Sequence, residues 1–164
     1  SAQAIIYAHA HYPQFKMGCM LAYGQSYAMT CDPDDQLANQ QSMNEHNWYC
    51  GDVHVRGEYP YFAKRLWKEL GVEIRMEPED AETLKKGVVD FYTFSYYMTS
   101  CVTTHKDVEG IGGNLLGGVK NPYLKASDWG WQIDPKGLRY ALNEIYGRYQ
   151  IPLMVGENGP GGYD

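Results

Sequence analysis

Cysteine is sparse and scattered in this 164-residue chain: Cys19, Cys31, Cys50 and Cys101 form no C-x-x-C pair. Together with five dispersed histidines they offer no zinc spacing, so neither a metal nor any other cofactor is expected. No apolar run approaches the roughly 20 residues that span a bilayer, and nothing has the form of a signal peptide. Reduced thiols in the cytoplasm are the simplest expectation. Basic charge is also short. Fourteen Lys and Arg stand against 20 Asp and Glu, and the net charge of −6 argues against nucleic acid or an anionic membrane as the main partner. There is no internal repeat, no low-complexity tract and no initiating Met. With the richest chemistry crowded into the last residues, the chain reads as a piece of something longer.

What is plentiful is aromatic and apolar. Hydrophobic residues make up 44% and charged residues 21%, the balance of a globular domain, and 164 residues suit one domain. Fifteen tyrosines and four tryptophans raise the aromatic share to 14%. Aromatic-rich loops bind sugars or flat ligands; a large Tyr-rich core is the alternative reading.

Along the chain, Ala2–Ala10 has helical spacing and Phe15–Ala22 reads as a short buried strand followed by polar loop. Turn and N-cap residues at Cys31–Asp35 predict an amphipathic helix from about Asp34 towards Cys50. Arg56–Pro60 breaks it, and Tyr61–Leu70 forms another helix ended by Gly71. Pro78–Gly87 carries acids at its start and lysines at its end, the order that suits a helix dipole. Val88–Phe94 is a second strand, and a long loop is expected from about Ser95 to Asp134. Asp134 then caps a helix to Arg148, with Pro135 in its first turn. Ile151–Gly156 is the third strand. The alternation predicts an α/β fold with parallel strands joined by helical crossovers and covered on both faces. Three strands leave two open edges, and eight βα units need about 250 residues, so the expectation is a section of a barrel wall.

Ligands in such folds meet the carboxyl ends of the strands, here Ala22–Gly24, Ser95–Tyr97 and Gly156–Gly159. Glu157 at the third end, near a tyrosine, is a candidate nucleophile or general base; a helix-capping role is the plain alternative. The acids Asp34, Asp35, Glu77, Glu79, Asp80 and Glu109 read as helix starts or solvated loop, and the histidines as surface or packing residues. Gly112–Gly118 lacks the Lys-Ser/Thr ending of a phosphate loop, so no nucleotide site is expected there.

Three stretches in order resemble landmarks of glycoside hydrolase family 1: the paired tyrosines of S95-Y-Y-M-T99, the segment W129-G-W-Q-I-D-P-K-G-L-R139, and the run PLMVGENG from Pro152 to Gly159. G18-C-M-L-A22 and D52-V-H-V-R-G-E-Y-P60 are similar to its 6-phospho-β-glucosidase branch, and the resemblance covers essentially the whole chain. It implies a (β/α)8 TIM barrel, of which residues 1–164 would be approximately units five to seven of the catalytic domain. It implies Glu157 as nucleophile, Tyr97 as the donor that hydrogen-bonds it, and Trp131 as the platform for the leaving group. Ser95 stands where many members acting on unphosphorylated sugars carry Asn. Gly156 and Pro160 depart from the family pattern, and Gly156 is expected to loosen the strand end.

The implied reaction is retaining hydrolysis of a β-glucoside 6-phosphate, with two carboxyl groups about 5–5.5 Å apart. The family's acid/base lies in an Asn-Glu-Pro before residue 1, and its phosphate ligands lie beyond residue 164. Asn44-Glu45-His46 lacks the Pro and falls in a predicted helix, so Glu45 is rejected as the acid. Two alternatives stand beside this reading: a β-glucosidase acting on unphosphorylated sugars, or an incomplete carbohydrate-binding fragment. The isolated chain is expected to be inactive and to self-associate through its open edges.

Overall fold

A computed structural model describes residues 1–111 and 117–163. Helix α1 (Ala2–His11) leads into strand β1 (Gly18–Leu21), and a short break separates β1 from β2 (Gln25–Ala28). Helix α2 (Pro33–Met43) starts where Asp32 accepts the N–H of Asp34 at 3.0 Å. It passes without a stop through a π-turn at Asn44–Trp48 into α3 (Tyr49–Arg56), which closes on the left-handed Gly57 (φ 67°). The helix ends at the break expected over Arg56–Pro60; on the way the π-turn carries Asn47 and Trp48 into the interior and the next turn buries Asp52. Helices α4 (Ala63–Leu70) and α5 (Asp80–Lys86) follow, then β3 (Phe91–Tyr96), β4 (Thr99–Val102), α6 (Pro135–Tyr149) and β5 (Leu153–Asn158).

The sheet has the order β1-β3-β5, and both pairings are parallel. Strands β2 and β4 form a separate parallel pair. Neither was expected, since Gln25–Ala28 reads as polar loop and Thr99–Val102 falls in the predicted long loop. The glycine-rich stretch there lies mostly outside the described residues.

Alternation along the strands sorts side chains onto two faces. Cys19, Leu21, Tyr92, Phe94, Tyr96, Leu153 and Val155 meet the helices, where Ile5, Trp48, Phe62, Ala141, Ile145 and Tyr149 complete the core. The other face is barer than expected: Met20 and Met154 are half exposed and Glu157 is exposed. Among the described residues the helices pack on one side of the sheet only. A buried ion pair locks the outer layer. Arg148 on α6 donates to both oxygens of Asp52 on α3 at 2.9 and 2.8 Å, and the Tyr149 hydroxyl donates to the same carboxylate at 2.9 Å.

All four cysteines are free, and no helix among the described residues is long and apolar enough to cross a membrane. Glu77, Glu79 and Glu109 are exposed as expected, and His9 bonds Asp90 at 2.9 Å. Asp35 corrects the reading of a solvated helix start: it has no exposed surface. Its carboxylate accepts from the Thr104 N–H at 2.7 Å and from the hydroxyls of Thr30, Thr103 and Thr104. It thereby pins the start of α2 to the segment after β4.

Burial pushes the Asp35 carboxyl up, but those four donors outweigh it and hold the group well below the usual carboxylate range. A depressed folded-state pKa adds stability above the ordinary carboxylate pKa of about 3.9 and loses it as pH falls towards the folded value. Asp35→Asn should therefore lower Tm at neutral pH and flatten the loss of stability on acidification below about pH 4. Exposed Asp34→Asn should do neither, as thermal unfolding across an acid series will show.

Candidate active site

The three central strands end together, and their carboxyl ends carry the polar groups. An irregularity in the strand pairing shapes this edge. Register between β3 and β5 runs regularly to Phe94–Val155, then jumps to Ser95–Glu157, leaving Gly156 as the inserted residue of a β-bulge. By strict alternation Glu157 would follow Val155 to the helix-covered face. The bulge returns it to the open face, beside Ser95 and Tyr97. Re-aiming a side chain is a recurrent use of a bulge next to an active site.

Gly156 is thus a packing requirement as well as a departure from the expected pattern. A Cβ there would lie 2.8 Å from Thr93 Cγ2 and 3.2 Å from the Met20 sulfur. Thr93 and Met20 fill the volume that a side chain would need, so the strand end is filled rather than loosened.

Glu157 Oε2 accepts a hydrogen bond from the Tyr97 hydroxyl and a second from Ser95 Oγ at 3.3 Å. Among the described residues Oε1 has no donor. The Glu157 carboxylate, by accepting a hydrogen bond from the phenol, raises the Tyr97 pKa above its ordinary value; partial desolvation and the carboxylate charge add to the effect. The Tyr97 ring lies 5.6 Å from that of Trp131, which meets Trp129 edge-on at 5.5 Å. A cavity of about 300 Å³ opens here, lined in part by Tyr97, Trp131, Asp134, Asn158 and Pro160. A larger groove of about 690 Å³ lies at Glu58, Tyr59 and α5, away from the strand ends and with no link to Glu157.

The four residues singled out from the sequence are therefore neighbours: Ser95 and Tyr97 on Glu157, and Trp131 on Tyr97. Glu45 does not join them; its carboxylate accepts from Gln41 on its own helix at 2.8 Å. Among the described residues no group of three His, Cys, Asp or Glu side chains could hold a metal.

From its sequence position Asp134 is expected only to cap a helix. Its Oδ1 does accept the Gly137 N–H at 2.9 Å, but its Oδ2 also accepts the hydroxyls of Tyr27 and Thr99, both at 2.9 Å. Its carbonyl accepts from Tyr96, the neighbour of Tyr97. Asn158 also has a role that its sequence position does not announce: its amide donates to the Tyr96 carbonyl at 2.6 Å, which ties β5 to β3 just past the bulge. The only sequence signal for either was its place beside a motif, Asp before Pro135 and Asn after Glu157.

Comparison with known proteins agrees with this architecture. The family model for glycosyl hydrolase family 1 matches residues 1–164. A 6-phospho-β-glucosidase of Clostridium longisporum is 50% identical over the whole chain, which covers 34% of that protein. An aryl-phospho-β-D-glucosidase of Bacillus subtilis is 48% identical, with all of this chain and 35% of that one aligned. The chain thus spans about a third of the length of the curated relatives it matches. The GH1 β-glucosidase from Exiguobacterium antarcticum B7 superposes on 99% of this chain and 36% of its own, with a TM-score of 0.79 at 20% identity. That likeness speaks for the fold, and the fold is that of a section of a (β/α)8 barrel.

The Gly156 packing predicts a coupled pair. Gly156→Ala should cost about 1–3 kcal/mol by forcing Thr93 and Met20 aside. Thr93→Ser removes the methyl group in the way, so the double variant should recover a large part of that loss. Simple additivity of the two single variants in denaturant unfolding would show that the Thr93 contact is not the obstacle.

Proposed function

The chain belongs to glycosyl hydrolase family 1, and from that premise we propose that it supplies the nucleophile side of a retaining 6-phospho-β-glucosidase. The observation that carries the reading is the Glu157 carboxylate at the strand ends, gripped through one oxygen by Tyr97 and Ser95. The relatives named as acting on phosphorylated β-glucosides, at 48–50% identity, favour the phosphorylated substrate.

In this reading Oε1, which has no donor among the described residues, attacks the anomeric carbon while the leaving group packs on Trp131. The glycosyl–Glu157 ester forms as the glycosidic C–O bond breaks, and a second carboxyl group about 5–5.5 Å away protonates the departing oxygen. Water activated by that second group then hydrolyses the ester with retention. Tyr97 serves as a fixed donor: it holds Oε2 and leaves Oε1 in line. We place the second carboxyl group and the phosphate ligands on parts of the protein outside residues 1–164, so that this chain is approximately the fifth to seventh βα units of the catalytic domain. No cofactor enters the scheme. The phosphate charge holds such a substrate inside the compartment where it is made, so we assign the enzyme to the cytoplasm.

In the full-length protein Glu157→Gln should abolish hydrolysis of an aryl 6-phospho-β-glucoside, and Tyr97→Phe should lower kcat by about 10²–10³-fold. Retained turnover in the Gln variant would sink the assignment. Equal kcat/KM on the same glycoside without its phosphate would favour a β-glucosidase acting on plain sugars. Residues 1–164 alone should show no turnover and should associate through the bare sheet face around Met20 and Met154, which size-exclusion chromatography will read.

A further inference from the structure

Pairing between the first two strands of the barrel section breaks at the height of the site. The ladder runs from Gly18–Phe91 to Leu21–Phe94, stops, and resumes in the outer pair at Gln25–Thr99. Across the gap three residues, 22–24, face four, 95–98. Ser95 and Tyr97, the two hydroxyls on Glu157, stand on the longer side of that gap. Backbone inside such a gap needs partners other than a ladder.

On the shorter side the partner is a side chain. Asn47 Oδ1 accepts from the Gly24 N–H, and its Nδ2 donates to the Gly24 carbonyl, both at 2.9 Å. Asn47 is 2% exposed, so this amide–peptide pair is shielded from water. It sits in the π-turn Asn44–Trp48, where the added residue per turn shifts side chains round the helix. The same turn buries Trp48 against Tyr23, with ring centroids at 5.8 Å, and Tyr23 packs edge-on against Phe94 at 5.5 Å. The Tyr23 hydroxyl donates to Gln25 Oε1 at 2.9 Å, so the chain is held on both sides of Gly24. From Gln25, β2 runs to Tyr27, whose hydroxyl meets Asp134; the Asp134 carbonyl in turn receives Tyr96, one residue before Tyr97.

We propose that the π-turn and its Asn47 clamp on Gly24 are a positioning device for the candidate active site. The clamp sets the break between β1 and β2, and thereby the geometry in which Tyr97 and Ser95 meet Glu157. Asn47 touches no reacting atom; it acts through the gap and through Asp134. The inference rests on the reading of Glu157 as nucleophile.

The test uses the full-length protein. Asn47→Asp keeps the acceptor for the Gly24 N–H and loses the donor to its carbonyl, whereas Asn47→Ala loses both and adds no charge. Competent sites are counted with a 2-fluoro-substituted dinitrophenyl 6-phospho-β-glucoside. In that reaction a bond forms between C1 and Glu157 as the C1–O(aryl) bond breaks, and the dinitrophenolate departs with the electron pair. Peptide mass mapping then locates the label. Per competent site, kcat should fall about ten- to a hundredfold in both variants, with KM within about twofold of the parent.

A purely structural role would lower Tm or the number of competent sites and leave kcat per site unchanged, and that result overturns the proposal. Should neither variant fold, Tyr27→Phe removes one half-buried hydroxyl at the far end of the relay. The same split between kcat and KM is expected there, and an unchanged kcat per site counts equally against the proposal. A label on a residue other than Glu157 in the parent overturns the nucleophile reading itself. A label on Glu157 with normal turnover in the Asn47 variants overturns the clamp alone.

Discussion

Four elements converge on one residue. Asp134 caps α6 through the Gly137 N–H, holds β2 through Tyr27 and β4 through Thr99, and receives Tyr96 from the end of β3 on its own carbonyl. Hydrogen bonds to a charged partner contribute about 1.5–3 kcal/mol each, and losing the acceptor would leave buried donors unmet. The packing around it leaves no slack. A Cβ at Gly137 would fall 2.5 Å from Thr99 Cγ2 and 2.6 Å from the Asp134 carboxylate. The loop that carries Trp131 ends at this residue, so the aromatic wall of the cavity takes its position from the same anchor that fixes the outer strand pair.

The sheet explains why the chemistry gathers on one side. Parallel strands covered by helices devote one set of alternate residues to the core, and that set here is Tyr92, Phe94 and Tyr96 with their neighbours. Only residues of the other set are free to carry function. Ser95 and Tyr97 belong to it by position. Glu157 does not, and it reaches the open face only because Gly156 interrupts the alternation. The bulge is therefore part of the site even though Gly156 has no side chain to offer.

The sequence was most readable where periodicity and burial act together. Helices α1, α4, α5 and α6 and strands β1, β3 and β5 lie where apolar spacing, Asp134 and the glycines at 71 and 87 place them. The pair β2–β4 was not readable, because Gln25-Ser-Tyr-Ala and Thr99-Ser-Cys-Val have neither the length nor the alternation of a half-buried strand. Partners far along the chain hold them. Asp35 departs from its expected role for a related reason: three of its four donors come from Thr103 and Thr104, far along the chain. The neighbours Ser95, Tyr97, Trp131 and Glu157 were legible as ordered motifs, whereas the devices that aim them, Gly156 and Asn47, were not. A motif records the side chains that meet a ligand; a bulge or a π-turn is a property of the backbone.

The direction of one proton decides how the grip on Glu157 works. Hydrogen bonding to the carboxylate, with partial desolvation, lifts the Tyr97 phenol above a value already far from neutrality, so the proton stays on tyrosine. Tyr97 is then a donor throughout and never a competing base, and the bond it makes has one sense. Ser95 adds its hydroxyl to the same oxygen, Oε2. Had the two donors been shared between the carboxylate oxygens, each would have lost a lone pair to the protein. Placing both on Oε2 immobilises the group and leaves Oε1, among the described residues, without a donor. The asymmetry, more than the presence of an acid at a strand tip, is what favours the proposed role of Glu157 in attack rather than in binding.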